Sequence, residues 1–148
     1  MERIIKPWGY ELLLEKNNRY VLKKLGMNKG HKCSIQYHIK KKETIYVLRG
    51  KLKVYIGDDI NNLDEVIMNP HDTMTLEPLK IHRMEAIEDS VYLEASTPEL
   101  DDVVRLKDEY GREEKPYEGK ESMVDLSKDD IIFGEPEDGK PLVYNFNS

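Results

Sequence analysis

The chain has 148 residues, enough for one domain with a hydrophobic core, and its single cysteine excludes an intrachain disulfide. Charged residues make up 35% of it and the formal net charge is −6, which argues against a nucleic-acid partner because nucleic-acid binders present a basic face. No segment approaches the roughly 18 apolar residues of a membrane span, and the first residues lack a signal-peptide layout. We therefore expect no membrane partner and a cytoplasmic location.

Short segments rich in β-branched and aromatic residues predict strands at 19–25, 32–38, 43–49, 51–57, 73–77, 82–86 and 90–96. Turn sequences such as Asn28-Lys29-Gly30 and Asn69-Pro70-His71-Asp72 separate them. Many short strands with turns between them predict an all-β fold, a sandwich or barrel with few helices.

From Arg112 the sequence turns polar, so we predict a barrel over 1–112 and a C-terminal arm over 113–148. The apolar residues 131–133 and 142–144 need burial, either on the arm's own barrel or on a neighbouring subunit. Small barrels of this kind often cover a sheet face by pairing, and we therefore expect a homodimer.

Polar residues interrupt the apolar alternation of two predicted strands. Gln36 and His38 share one face of the strand 32–38, and a turn over 39–42 leads to Glu43 on the next strand. Paired as a hairpin, these strands would place His38 beside Glu43, and His82 opens a later strand. Imidazole, carboxylate and amide groups suit a divalent metal such as zinc, manganese, iron, nickel or cobalt. The alternative is a polar face on an ordinary sheet.

The spacing of these residues resembles the first cupin motif: glycine at 30, Gln36, His38, Glu43 and glycine at 50. Gln36 stands where most cupins have their first metal histidine. The stretch HDTMTLEPLKIHR resembles the second cupin motif less closely. There His82 falls on the metal histidine, while His71 and Leu79 occupy positions where cupins usually have glycine.

Three stretches resemble one cupin branch, the C-terminal isomerase domain of bifunctional mannose-phosphate isomerase/guanylyltransferases. They are KPWGYELL from residue 6, the Gln-x-His form of the metal motif, and DDVVRLKDEYGR from residue 101. The resemblance implies a double-stranded β-helix, or jelly-roll barrel, that holds one divalent metal, zinc in the first place, through four ligands: Gln36, His38, Glu43 and His82. The nucleotide loop of the guanylyltransferase part is not matched, so no guanylyltransferase activity is expected.

The implied activity is a mannose 6-phosphate/fructose 6-phosphate isomerase that moves a proton through an enediol. Glu94 matches a family glutamate and is the candidate base; an outward-facing strand glutamate is the alternative. Lys41 stands on a family arginine and, with Arg105, is a further catalytic candidate. The candidate substrate-binding cations are Lys41, Arg83 and Arg112. Two alternatives remain: the run 40–42 is a solvated turn, and Arg105 and Arg112 form salt bridges with nearby aspartates.

The sequence around His38 departs from the family, which has further His and Trp residues there. The departure keeps two other functions open. One is a cupin isomerase or epimerase of a different sugar phosphate or nucleotide sugar. The other is a non-catalytic cupin that binds a small sugar or nucleotide. In each reading the partner is a small molecule.

Overall fold

The structure is a computed structural model that describes residues 2–107, and its regular elements there are β-strands. In chain order they are β1 (Glu2–Lys6), β2 (Gly9–Lys16), β3 (Val21–Met27), β4 (Ile35–Tyr37), β5 (Glu43–Arg49), β6 (Leu52–Gly57), β7 (Asp64–Met68), β8 (Thr73–Leu76), β9 (Ile81–Ala86), β10 (Ser90–Ser96) and β11 (Val104–Lys107). The predicted all-β class is therefore confirmed. None of the described residues forms a helix capable of spanning a membrane.

The strands form two antiparallel sheets. One has six strands in the order β1-β2-β3-β10-β5-β8, and the other has five in the order β11-β4-β9-β6-β7. Strands that are distant in sequence therefore lie side by side, as β3 does with β10. This arrangement brings the end of β4, the start of β5 and the start of β9 to the same region of the fold.

Side-chain alternation along β5 explains how the two sheets pack. Ile45 and Val47 are fully buried and face the other sheet, whereas the alternating residues Thr44 and Tyr46 are more exposed. The main core cluster combines Ile45 and Val47 with apolar residues from both sheets, including Leu52 and Val54 of β6. Because Glu43 shares the inward face of β5, the same alternation turns its carboxylate into the interior.

The strand prediction missed β1, β2, β7 and β11 and made β4 too long at its N-terminal end. The segment KPWGYELLLEK lacks a clean period of two, because Leu12, Leu13 and Leu14 are consecutive. β2 forms because it pairs with β3 in an antiparallel register. Gly9 allows the two strands to approach closely. A Cβ atom at Gly9 would overlap the carbonyl oxygen of Gly26.

The predicted boundary after residue 112, the arm over 113–148 and Arg112 lie outside the described residues. Their placement stays a prediction.

Candidate metal centre

Three buried side chains from different strands converge in the interior. His38 follows β4, Glu43 begins β5 and His82 lies on β9. One potential ligand atom from each lies within 4.8 Å of the others. The Nε2 atoms of His38 and His82 are 3.4 Å and 3.3 Å from the same oxygen, Glu43 Oε1. Two imidazole nitrogens and one carboxylate thus surround a single point.

The other ring nitrogen of each histidine fixes its tautomer. His38 Nδ1 donates to the backbone carbonyl of Asp102 at 2.6 Å, and His82 Nδ1 donates to that of Lys80 at 2.9 Å. Since a carbonyl can only accept, Nδ1 carries a hydrogen, and in the neutral imidazole each Nε2 presents a lone pair to the interior. Within residues 2–107, both Nε2 atoms are buried without a hydrogen-bond partner. Oriented neutral imidazoles beside a carboxylate are the donor set that a divalent metal requires.

Glu43 supplies the negative charge of this triad. Burial alone raises the pKa of its carboxyl group, but the ammonium of Lys41 and the two adjacent imidazoles hold that pKa well below its usual range. Glu43 is therefore a carboxylate at neutral pH, in the ionisation state that a metal ligand needs.

Gln36 lies near the triad without belonging to it. It pairs in register with His82 and lines the same pocket as His38. Its Oε1 accepts a hydrogen bond of 2.6 Å from the Ser34 hydroxyl. The predicted role of Gln36 as a fourth ligand stays a prediction.

The prediction that His38 and Glu43 meet across a β4–β5 hairpin is wrong. The two strands belong to different sheets, so residues 39–42 carry the chain from one sheet to the other. Asp102 fixes this crossing, because its carboxylate accepts hydrogen bonds from the amides of Ile39, Lys40 and Lys41 at 2.9, 2.6 and 2.9 Å. Partial burial raises the pKa of Asp102, but these three bonds lower it by more.

The alternative of a solvated turn over 40–42 is wrong for Lys41. Its side chain is buried, and Nζ lies 3.0 Å from Glu43 Oε2 and 3.4 Å from Glu94 Oε2. Burial lowers the pKa of Lys41, but the two carboxylates outweigh this and raise it. Lys41 therefore stays an ammonium that links the metal triad to Glu94, whereas Lys40 and Lys42 are exposed.

Glu94 points inward, so its outward-facing alternative is wrong. It lies on β10, is 6% exposed and lines the pocket. Burial and the nearby charge of Glu43 raise the pKa of its carboxyl group, against the lowering effect of Lys41 and Lys23. A raised pKa makes a carboxylate a stronger base, as proton abstraction requires.

A pocket reaches His38 and is lined by residues of both sheets. The polar residues that line it are Lys6, Glu11, Lys23, Ser34, Gln36, His38, Lys41, Glu94 and Arg105. Arg105 lines the pocket, and its catalytic role stays a prediction. Arg83 is not among the described lining residues; it lies between the inward-facing His82 and Met84 in sequence, and its Nε donates to the backbone carbonyl of Cys33.

Sequence reasoning missed the buried ion pair at the far end of the pocket, where Lys23 Nζ lies 3.2 Å from Glu11 Oε2. Burial raises the pKa of Glu11, but Lys23 and Lys6 lower it by more. Burial lowers the pKa of Lys23, and the carboxylates of Glu11 and Glu94 reverse that effect. Glu11 and Lys23 are charged residues within apolar strand segments, as in VLKKL, and a charge in such a segment was the available signal.

Two non-glycine residues adopt backbone conformations that favour glycine. His71 has a φ of 76° and Leu79 a φ of 70°, and both stand on glycine positions of the second cupin motif. The amide of Leu79 donates to the carbonyl of His38 at 2.6 Å. The turn before His82 thus takes a left-handed conformation without the glycine.

A family model described as "Mannose-6-phosphate isomerase C-terminal" matches residues 1–108. The chain is 35% identical over 113 residues to mannose-1-phosphate guanylyltransferase from Escherichia coli K12. It is 32% identical over the same length to the corresponding enzyme from Salmonella typhimurium. Each alignment covers 74% of this chain and 23% of the relative, so the match spans about a quarter of those curated proteins.

Solved structures show the same fold at low identity. KdgF from Halomonas sp. superposes with a TM-score of 0.60 at 16% identity, covering 68% of this chain and 91% of that one. The capsular polysaccharide assembling protein CapF from Staphylococcus aureus gives 0.63 at 16% identity, covering 72% and 34%. Oxalate decarboxylase from Bacillus subtilis gives 0.61 at 16%, covering 71% and 30%. A cupin protein from Desulfitobacterium hafniense is also similar, and the predicted double-stranded β-helix is confirmed.

Proposed function

The chain belongs to the mannose-6-phosphate isomerase C-terminal family, and we propose that it is a metal-dependent sugar-phosphate isomerase that interconverts mannose 6-phosphate and fructose 6-phosphate. The observation that carries this proposal is the convergence of two Nε2 lone pairs on Glu43 beside the buried pair of Lys41 and Glu94. A metal centre next to a carboxylate base is what proton transfer between adjacent carbons needs.

His38, Glu43 and His82 would hold the metal, with Gln36 as the proposed fourth ligand. When bound there, a divalent ion would polarise the sugar carbonyl and stabilise negative charge on its oxygen. Zinc is the metal that we propose. Glu94 takes the proton from the carbon next to the carbonyl of the opened sugar, which leaves an enediolate, the ionised enediol. The proton of the neighbouring hydroxyl passes to the former carbonyl oxygen, and Glu94 returns its proton to the former carbonyl carbon. Lys41 keeps the Glu94 carboxylate oriented through its ion pair.

The charge of the pocket supports a phosphorylated ligand. Four cationic side chains and two carboxylates are among the described lining residues, so the lining carries excess positive charge. Lys41 is paired with two carboxylates and Lys23 with Glu11, and Arg105 and Lys6 line the same pocket, so a phosphate there would meet a lining with more cationic than anionic side chains. A phosphate held at this end would orient the reacting carbons toward Glu94.

One observation favours the second candidate, an isomerase of a different sugar phosphate. Lys41 points inward to Glu43 and Glu94, whereas the family has an arginine at that position. A lysine cannot make the bidentate grip of a guanidinium, so the substrate contacts there would differ.

The test is solvent exchange at the carbon next to the carbonyl. Zinc-loaded protein is incubated in deuterium oxide with mannose 6-phosphate or fructose 6-phosphate, and proton spectra follow deuterium incorporation. Exchange with either sugar supports the proposed function. Exchange with other hexose or pentose phosphates only would support the second candidate, and binding without any exchange would refute catalysis.

A further inference from the structure

A row of buried charges of alternating sign crosses the inner face of the six-stranded sheet. Glu11 lies on β2, Lys23 on β3 and Glu94 on β10, and these three strands are neighbours in that sheet. Lys41 and Glu43 continue the row beyond Glu94. All five residues are more than nine-tenths buried. The metal triad thus stands at one end of the row and Glu11 at the other.

Lys23 lies between two carboxylates and pairs with one of them. It is opposite Glu94 in the register of β3 and β10, a relation that places two Cβ atoms about 4.5–5.5 Å apart, and both residues line the pocket. Lys23 Nζ nevertheless lies 3.2 Å from Glu11 Oε2 on the neighbouring strand. Within residues 2–107, the ion pair of Glu94 is formed with Lys41 and not with Lys23. Glu11 therefore holds the Lys23 ammonium away from Glu94.

Stability alone gives little reason for a charged pair at this place. An apolar pair of similar volume is often at least as stable as a buried ion pair, because both ions must leave water. Glu11 and Lys23 stand instead at the pocket, and Lys23 is the cross-strand neighbour of the candidate base. This position indicates a role in the reaction.

The groups around Glu94 act on its ionisation in opposite directions. Burial and the charge of Glu43 raise the pKa of the Glu94 carboxyl, Lys41 and Lys23 lower it, and Glu11 raises it. An ammonium that paired directly with Glu94 would favour the carboxylate further and make it a weaker base. The pocket has further charged or titratable lining groups: Lys6, Cys33, His38 and Arg105.

We propose that Glu11 and Lys23 are positioning residues of the reaction: Glu11 holds the Lys23 ammonium back, so that the Glu94 carboxylate stays open to the substrate and basic enough to take its proton. Lys41 pairs with Glu94 Oε2, and a second ammonium would compete with the substrate for Oε1. This inference rests on the proposed function, since it concerns the base of the same site.

The test compares Glu11→Gln and Lys23→Met in the zinc-loaded full-length protein. Carbon-13 spectra of protein labelled at the glutamate carboxyls follow the ionisation of Glu94, whose signal is assigned by its loss in Glu94→Gln. In Glu11→Gln the released Lys23 pairs with Glu94, so we expect the titration midpoint of Glu94 to fall by about one pH unit. In Lys23→Met the midpoint should rise by about the same amount. Glu15→Gln changes an exposed carboxylate on β2 and is the matched control, with an unchanged midpoint.

The pH dependence of solvent exchange is the second readout. The base acts only in its ionised form, so the pH at which exchange reaches half its maximum should fall in Glu11→Gln and rise in Lys23→Met. An ion pair with a purely structural role would change the melting temperature without these opposite shifts.

The double variant Glu11→Gln/Lys23→Met keeps the test available if Lys23→Met does not fold, because it leaves neither partner as an unpaired charge. Its Glu94 midpoint should lie above that of the unmodified protein, since Lys23 acts on Glu94 more strongly than Glu11 does. Equal midpoints in the unmodified protein, Glu11→Gln and the double variant would overturn the inference and leave the proposed function intact. If the unmodified protein exchanged no sugar phosphate, both would fall.

Discussion

Asp102 accepts a hydrogen bond from His38 Nδ1 through its backbone carbonyl at 2.6 Å, and its carboxylate accepts from the three amides that follow His38. A single residue between β10 and β11 thus fixes both the ring of a candidate metal ligand and the chain crossing that carries Lys41. Asp102, in the family-like stretch that begins at Asp101, thereby orients a candidate metal ligand.

Asp102→Asn should weaken zinc binding about 10- to 100-fold, the usual effect of losing a group that orients a metal ligand. The neutral amide accepts hydrogen bonds from Ile39, Lys40 and Lys41 more weakly than a carboxylate does. Zinc affinity is measured by competition with a chelator. Asp101→Asn changes the exposed neighbouring carboxylate and is the matched control. Equal affinities of the two variants would contradict the positioning role.

The stability of the metal-free protein should depend on pH through Asp102. The folded pKa of this carboxyl is lowered from its ordinary value of 3.8 by its three amide bonds, which outweigh partial burial. A lowered folded pKa contributes stability above the unfolded pKa, and that stability is lost as pH falls through the folded pKa. Denaturant titrations from about pH 5 to about pH 3 should therefore show a shrinking stability difference between the unmodified protein and Asp102→Asn. A constant difference would contradict the assignment.

His38→Ala and His82→Ala should each reduce the zinc content several-fold, while the circular dichroism spectrum of the β-sandwich is retained. Each variant removes one of the two Nε2 lone pairs that face Glu43, and metal ligands contribute more to metal affinity than to the sheets. His71→Gly removes a histidine outside the triad at a left-handed position and should bind zinc normally. Undiminished zinc in either alanine variant would exclude that histidine as a ligand.

Glu94→Gln should lower the exchange rate about 10²- to 10⁴-fold, the range expected for loss of a general base. Zinc content should be unchanged, because Glu94 contacts Lys41 rather than the two histidines. Glu65→Gln, an exposed carboxylate paired with Lys53, is the control and should exchange normally. Full exchange activity in Glu94→Gln would require another base.

Leu79→Gly should leave the melting temperature unchanged or raise it, whereas Leu79→Val should lower it. The φ of Leu79 is 70°, its side chain is 61% exposed, and its amide holds the carbonyl of His38. Glycine adopts this conformation without steric cost, while a β-branched residue is strongly disfavoured there. Thermal unfolding of the two variants measures the effect. A lower melting temperature for glycine than for valine would contradict it.

The local pattern in the sequence predicted the strand class, and the resemblance to the cupin motifs singled out four residues, of which the structure brings three together. It could not predict the burial of Lys41, whose partner Glu94 lies 53 residues later in the chain. The same limit explains the incorrect hairpin: adjacent segments at 32–38 and 43–49 usually pair, but here each has a long-range partner, His82 for Gln36 and Ser96 for Glu43. The surroundings of the Glu11–Lys23 pair likewise depend on which strands lie side by side, and a local pattern does not contain that information.

The most direct test is anomalous diffraction at the zinc edge from crystals of the zinc-loaded protein. We predict one anomalous peak per chain at about 2.0–2.2 Å from the Nε2 atoms of His38 and His82 and from a carboxylate oxygen of Glu43. A peak elsewhere, or no peak at that point in zinc-saturated crystals, would contradict the metal centre and the isomerase proposal that depends on it.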